Sequence, residues 1–220
     1  TVEFRKSDLT TGVELDGATL TVLDKDGNEI DKWTSVKGEP HIIKRLHVGE
    51  TYILREEFAP YGYLKAEEVE FTITDTAEIQ KVEMKDDVPI GRIIINKKGE
   101  FLSEVSWNDM VAGAMDSIWG YVTGSLKDVT FEIYAREDIK AADGESDDYY
   151  KKDELVATIT TDELGFARSD DLPLGKYYVV EKETADGFVL DGEPRDIDLT
   201  YRDQDTPVVT FDSEWQNSRQ

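Results

Sequence analysis

The chain has 220 residues, with 25 Lys or Arg against 49 Asp or Glu, so its formal charge is −24; it has no cysteine and two histidines. That charge repels phosphate backbones and argues against a nucleic-acid partner. Without cysteine there is no disulfide and no thiolate metal site, and His41 with His47 is too few to build a histidine one, so neither metal nor cofactor is expected. No apolar run approaches the ~18 residues needed to span a bilayer, so no membrane insertion is expected. With 39% hydrophobic and 10% aromatic residues, the acidity reads as a folded, soluble protein and not as disorder. A chain that opens at Thr1 without a signal-peptide pattern is expected to be a mature segment or an excised piece.

Period-two alternation dominates from the start. Val2, Phe4 and Lys6 share one face, as do Leu20 and Val22, then Tyr52, Leu54 and Glu56, then Val69, Phe71 and Ile73. Such alternation, rich in β-branched and aromatic residues, predicts half-buried strands. Turn signals separate them at Thr10-Thr11-Gly12, Asp24-Lys25-Asp26-Gly27-Asn28, Lys37-Gly38 and Tyr61-Gly62. About seven strands are expected before Asp87, a spacing that suggests an antiparallel sandwich.

The second half repeats the plan. Tyr52 to Glu56 followed by Gly62-Tyr63 aligns with Tyr177 to Glu181 followed by Gly187-Phe188. Leu15 to Val22 aligns with Leu126 to Ile133, and Val2 to Lys6 with Ile93 to Lys97. The endings Val82 to Asp86 and Ser213 to Asn217 agree in parity. Two tandem domains are therefore expected, 1–89 and 90–220, joined near Val88-Pro89-Ile90-Gly91. The second carries inserts near 101–125 and 137–151. The latter is acidic and polar (Ala142 to Asp148) and reads as an exposed loop. In the former, Ser106 stands as an N-cap with Asp109 three residues on. Trp107, Met110, Val111, Ala114, Met115, Ile118 and Trp119 recur at helical spacing, so a short amphipathic helix is predicted over 107–119.

Each copy puts a lysine where its first strand should be apolar, a glutamate on the inward face of a late strand, and an Asp or Asn near the end of its last strand. An inward charge is costly unless it is paired or neutralised. Parity with Ile93 and Ile95 favours Lys97 over its neighbour Lys98, and parity with Val82 and Met84 favours Asp86 over Asp87. Without further information, these residues read as buried ion pairs beside an acid or amide.

The stretch Gly49 to Tyr63 (GETYILREEFAPYGY) resembles the GxYxLxExxAPxGY signature of CnaB-like (collagen-adhesin B-type, SpaA-type pilin) domains of Gram-positive surface proteins. Lys6 to Gly12 with Leu15 to Ala18 is similar to that family's KxDxxTG…LxGAxF start. Copy two departs from the signature at Thr184-Ala185-Asp186-Gly187-Phe188, which replaces APxGY. The resemblance covers both copies apart from the inserts. It implies an all-β fold of two tandem Ig-like or prealbumin-like antiparallel β-sandwiches, to which the residue spacing adds the short helical insert of the second. It also implies spontaneous intramolecular isopeptide bonds, Lys6 to Asp86 assisted by Glu56 and Lys97 to Asn217 assisted by Glu181. Burial suits this chemistry, because it favours a neutral, nucleophilic lysine and a protonated glutamate that polarises the acceptor carbonyl. It would be single-turnover self-modification, not catalysis on a substrate.

The calcium-like look of Asp24 to Asn28 is set aside: an EF-hand would need its bidentate glutamate at the position of Ser35. No phosphate loop and no GxSxG is present. The expected role is a structural stalk or adhesin segment of a Gram-positive cell-surface protein or pilin. It would be extracellular, beside neighbouring domains of the same protein, and wall-anchored through a part outside this chain, since no LPxTG-like motif lies within it. The alternative is a host-binding adhesin module with an immunoglobulin or matrix protein as partner, using Trp107, Met110, Val111, Met115, Ile118 and Trp119.

Overall fold

A computed structural model describes residues 1–105 and 118–220. Every regular element in it is a strand: β1 (Val2–Asp8), β2 (Thr19–Leu23), β3 (Glu29–Thr34), β4 (His41–Ile43), β5 (Thr51–Phe58), β6 (Val69–Thr72), β7 (Gln80–Asp86), β8 (Ile90–Val105), β9 (Ile118–Ser125), β10 (Thr130–Ala135), β11 (Leu155–Thr160), β12 (Phe166–Arg168), β13 (Gly175–Glu183), β14 (Arg195–Leu199) and β15 (Val208–Asn217). The chain divides into two compact units. The first is Thr1–Ile90 with Lys140–Tyr149 and Thr200–Val209; the second is Gly91–Ile139 with Tyr150–Leu199 and Thr210–Gln220.

In the first unit the sheets run β4-β1-β7 and β3-β2-β5-β6. Val2, Phe4 and Met84 from one sheet join Leu20, Val22, Leu54 and Phe71 from the other in a single buried cluster, so the sheets pack face to face. Alternation creates this core, since β5 buries Tyr52, Leu54 and Glu56 and turns the residues between them outward. One pairing is parallel: β1 lies beside β7 with Lys6 opposite Met84 and Asp8 opposite Asp86. At the end of β1, Asp8 Oδ1 accepts the backbone N–H groups of Thr10 and Thr11, both at 2.8 Å, which turns the chain. Asp24 closes the β2–β3 hairpin likewise, taking the N–H groups of Asp26 and Asn28 at 2.9 Å. Segment 200–209 of this unit contributes Gln204, which accepts the Ala59 N–H at 2.7 Å and through its backbone carbonyl the Lys65 N–H at 3.0 Å.

The second unit repeats the arrangement with β11-β10-β13-β14 and β12-β8-β15, and β9 pairs with β8. Phe131, Ile133, Tyr177 and Val179 of one sheet and Ile93, Ile95 and Trp215 of the other are buried, and the Phe131 and Trp215 rings meet edge to face at 5.6 Å. The acidic insert near 137–151 lies in the connection from β10 to β11, and its Lys140–Tyr149 stretch belongs to the first unit; in it Asp143 Oδ1 accepts the N–H groups of Glu145 and Ser146 at 2.8 Å.

The other insert corrects the sequence reading. Ile118 and Trp119, expected to close a helix, instead open β9, which pairs antiparallel with β8 from Val105↔Ile118 to Lys98↔Ser125. Trp107, Met110, Val111 and Met115 lie outside the described residues. The reason is local. Ile118 to Ser125 (IWGYVTGS) mixes β-branched, aromatic and glycine residues that favour a strand. Eight ladder positions on a prolonged β8 also hold Ile118 and Trp119 more firmly than the last turn of a short, marginal helix would. The spacing of Trp119 fits both patterns, and the available partner strand decides.

Candidate functional site

Two matching clusters sit in the cores. In the first unit, Lys6, Glu56 and Asp86 are 3%, 0% and 0% exposed. The Lys6 ammonium contacts Asp86 Oδ1 and stands 2.9 Å from Glu56 Oε1. The Ala66 backbone N–H donates to Glu56 Oε2 at 2.7 Å, and Asp86 Oδ2 is buried without a partner. Burial pushes the Asp86 carboxyl up to about 7, against the pull of Lys6. Asp87 faces solvent and accepts the Val88 N–H, so the inward acid of this strand is Asp86. A cavity of about 10 Å³ reaches Lys6, room for no more than one water.

In the second unit, Lys97, Glu181 and Asn217 are 0%, 4% and 2% exposed. Lys97 Nζ lies 2.6 Å from Glu181 Oε2, close enough for an ion pair but not aligned as a hydrogen bond. It also sits 5.7 Å from the centre of the Phe131 ring. Burial holds the Lys97 pKa below that of a free lysine, with Glu181 opposing. Asn217 Nδ2 donates to Glu181 Oε1 at 2.5 Å and to Thr184 Oγ1 at 2.9 Å, while Asn217 Oδ1 has no partner. Lys98 is half-buried and reaches Ser125 Oγ at 3.4 Å.

Backbone detail aims these groups. Glu56 pairs with Leu20 and Glu181 with Phe131, and in both units the register slips immediately beyond the glutamate. Such a bulge redirects a side chain, and its recurrence next to both glutamates was not visible in the alternation. Lys97 is fixed through its main chain, since its N–H donates to Gly165 O at 2.7 Å. Gly165 has φ +82°, and a Cβ there would stand 2.6 Å from Lys97 O, so only glycine fits. Sequence reasoning also missed Thr184. Its signal was available, because it stands three residues after Glu181 where the first copy has Ala59 three after Glu56.

Each cluster joins the first strand of its unit to the last, with a glutamate touching the lysine. A buried amine in contact with an acid, as Lys6 is with Asp86, beside a second carboxyl group that can carry protons is an arrangement able to form an amide, and in the second unit Glu181 touches both the amine and the carboxamide. Of the candidate partner-binding residues, only Ile118 and Trp119 fall among the described ones. Ile118 and Trp119 lie on β9, whose neighbours Tyr121 and Val122 are exposed, as is Leu102 on β8.

A family model described as the SpaA prealbumin-like fold domain matches residues 1–88 and 121–215. The first match includes Lys6, Glu56 and Asp86. The second includes Glu181 but begins after Lys97 and ends before Asn217. Among solved structures, the Bacillus anthracis TIE protein is similar at 23% identity and TM-score 0.57, over 98% of this chain and 33% of that one. The chain thus spans a third of that protein's length. The minor pilin of Streptococcus agalactiae is similar at 12% identity and TM-score 0.38, over 100% of this chain and 96% of that one. The major pilin subunit of Bacillus cereus is similar at 13% identity and TM-score 0.37, over 100% and 99%. At 23% identity the likeness to the TIE protein is one of fold. No curated protein matches the chain.

Proposed function

We propose that this chain, which belongs to the SpaA family of prealbumin-like fold domains, is a stalk segment of a Gram-positive cell-surface protein or pilin, each unit locked by an intramolecular isopeptide bond. The observation that carries this reading is the pair of buried Lys–Glu–acceptor clusters, each bridging first and last strand. In the first unit the Lys6 Nζ lone pair attacks Asp86 Cγ. The Nζ–Cγ bond forms, a Cγ–O bond breaks, and the oxygen leaves as water with protons passed from Nζ by way of Glu56. In the second unit Nζ of Lys97 attacks Asn217 Cγ. The Cγ–Nδ2 bond breaks, and Glu181, touching both nitrogens, moves a proton from Nζ to Nδ2, which leaves as ammonia. Each reaction happens once per chain and turns over no substrate.

The product suits a load-bearing role. The bond encloses 80 residues in the first unit. By analogy with a disulfide, that is worth about 4–5 kcal/mol through the unfolded state. In a protein without cysteine this covalent closure serves at an extracellular surface, where disulfides often do. Proteolysis followed by tandem mass spectrometry tests it: one branched peptide should join Lys6 to Asp86 and another Lys97 to Asn217. Only linear peptides would reduce both clusters to buried ion pairs.

A second reading adds an adhesin role, with a host immunoglobulin or matrix protein as partner. It is favoured by exposed Leu102, Tyr121 and Val122 on the β8–β9 hairpin of a charge-rich protein. Replacing Tyr121 and Val122 by Ser should then remove binding to immobilised partner and leave stability unchanged. Binding equal to that of the parent chain would discard this reading.

A further inference from the structure

We infer that Thr184 is a positioning residue for the leaving nitrogen of Asn217, and that it fits the second unit to an amide acceptor where the first takes an acid. The inference rests on the cross-link reading above. A carboxamide nitrogen carries two hydrogens. In this site one points to Glu181 Oε1 at 2.5 Å and the other to Thr184 Oγ1 at 2.9 Å. A half-turn of the carboxamide would put its oxygen against Glu181 Oε1 and lose the hydrogen bond from Nδ2 in a buried site, and the Thr184 hydroxyl, as acceptor of the second hydrogen, fixes the same orientation. Nδ2 is therefore held against the same carboxyl group whose other oxygen is 2.6 Å from Lys97 Nζ. The proton released as the Nζ–Cγ bond forms crosses Glu181 to the atom that must leave.

The first unit lacks this feature and does not need it. The residue three after Glu56 is Ala59, which has no hydroxyl, and the acceptor is Asp86. The oxygen lost there has no second hydrogen to be held. Thr184 also differs from its neighbours in exposure. Lys97, Glu181 and Asn217 are sealed, whereas Thr184, just past the end of β13, is half-buried. The departing ammonia meets Thr184 on its way to solvent.

The test follows bond formation in the full chain during cell-free synthesis, sampled over time by intact mass. Thr184→Val keeps the shape and removes the acceptor, so ammonia loss should slow about 2- to 10-fold, the value of one hydrogen bond in a transition state. Thr184→Ser should restore the parent rate. Water loss from the first unit and the pH dependence of ammonia loss should not move in either variant, which a general weakening of the fold would not allow. Parent-rate ammonia loss in Thr184→Val, or failure of Thr184→Ser to restore it, overturns the inference while leaving the cross-link intact. A parent chain that loses water but no ammonia overturns it together with the second cross-link.

Discussion

Lys6 on β1 touches Asp86 on β7 inside the first unit, and these two strands, the first and last of that unit's β1–β7 run, lie side by side and parallel. In a parallel pair, tension applied at the start of one strand and the end of the other loads the whole ladder in shear. A side-chain amide across the pair would take that load directly. Under force, the chain between Lys6 and Asp86, which stand 80 positions apart, should then not extend. Single-molecule pulling should show no unfolding step from them, and Lys6→Ala should restore one of about 290 Å, at roughly 3.6 Å per residue. A parent chain that already shows that step has no bond.

The two units should react independently. Lys6→Ala should abolish the loss of water and keep the loss of ammonia, and Lys97→Ala should do the reverse. Each variant leaves a buried Glu without its cation, a defect of about 3–5 kcal/mol, in addition to the lost closure. Thermal unfolding of the affected unit should fall accordingly. A variant that lost both mass deficits would show the reactions to be coupled.

The acid acceptor imposes a pH limit. The reactive pair is a neutral amine facing a neutral carboxyl group, one proton fewer than ammonium facing carboxylic acid. Burial pushes Asp86 up to about 7. Below that value the buried pair takes up a further proton, and the reactive form becomes scarce. Water loss should slow about tenfold per pH unit below about 7. A rate that keeps rising toward pH 5 would place the ionisation elsewhere.

Lys97 gives a stability signature once the bond is blocked. In Asn217→Ala, burial still holds the lysine pKa below its ordinary 10.5. Between that lowered value and 10.5 the unfolded chain binds the extra proton, so stability should rise with pH across the window and be lost as pH falls. Urea midpoints at neutral and alkaline pH, compared with Lys97→Met in the same background, isolate the effect. Parallel changes in the two chains would assign it to other groups.

Gly165 should tolerate no side chain. Its φ is positive, and the Cβ of an alanine would come within 2.6 Å of Lys97 O, so Gly165→Ala should cost about 1–3 kcal/mol. Ammonia loss should slow as β8 shifts. An unchanged urea midpoint would show that the segment yields freely.

Much of this was legible because alternation reports inward faces directly. Lys6, Glu56 and Asp86 share parity with apolar neighbours, as Lys97 does with Ile93 and Ile95, and the seven strands before Asp87 follow from the same pattern. Pairing direction was not legible, since Val2 to Asp8 would alternate identically beside a parallel or an antiparallel partner. Nor were the bulges beyond Glu56 and Glu181, which depend on the facing strand. At Ile118 and Trp119 the helical spacing misled, because a prolonged β8 supplied a partner that local spacing does not encode. Thr184 is a hydroxyl whose meaning appears only once Asn217 is folded against it.

The most direct measurement is the intact mass of the natively folded chain after full denaturation. The account predicts a mass below that of the sequence by one water and one ammonia. The full mass of the unmodified sequence would contradict it.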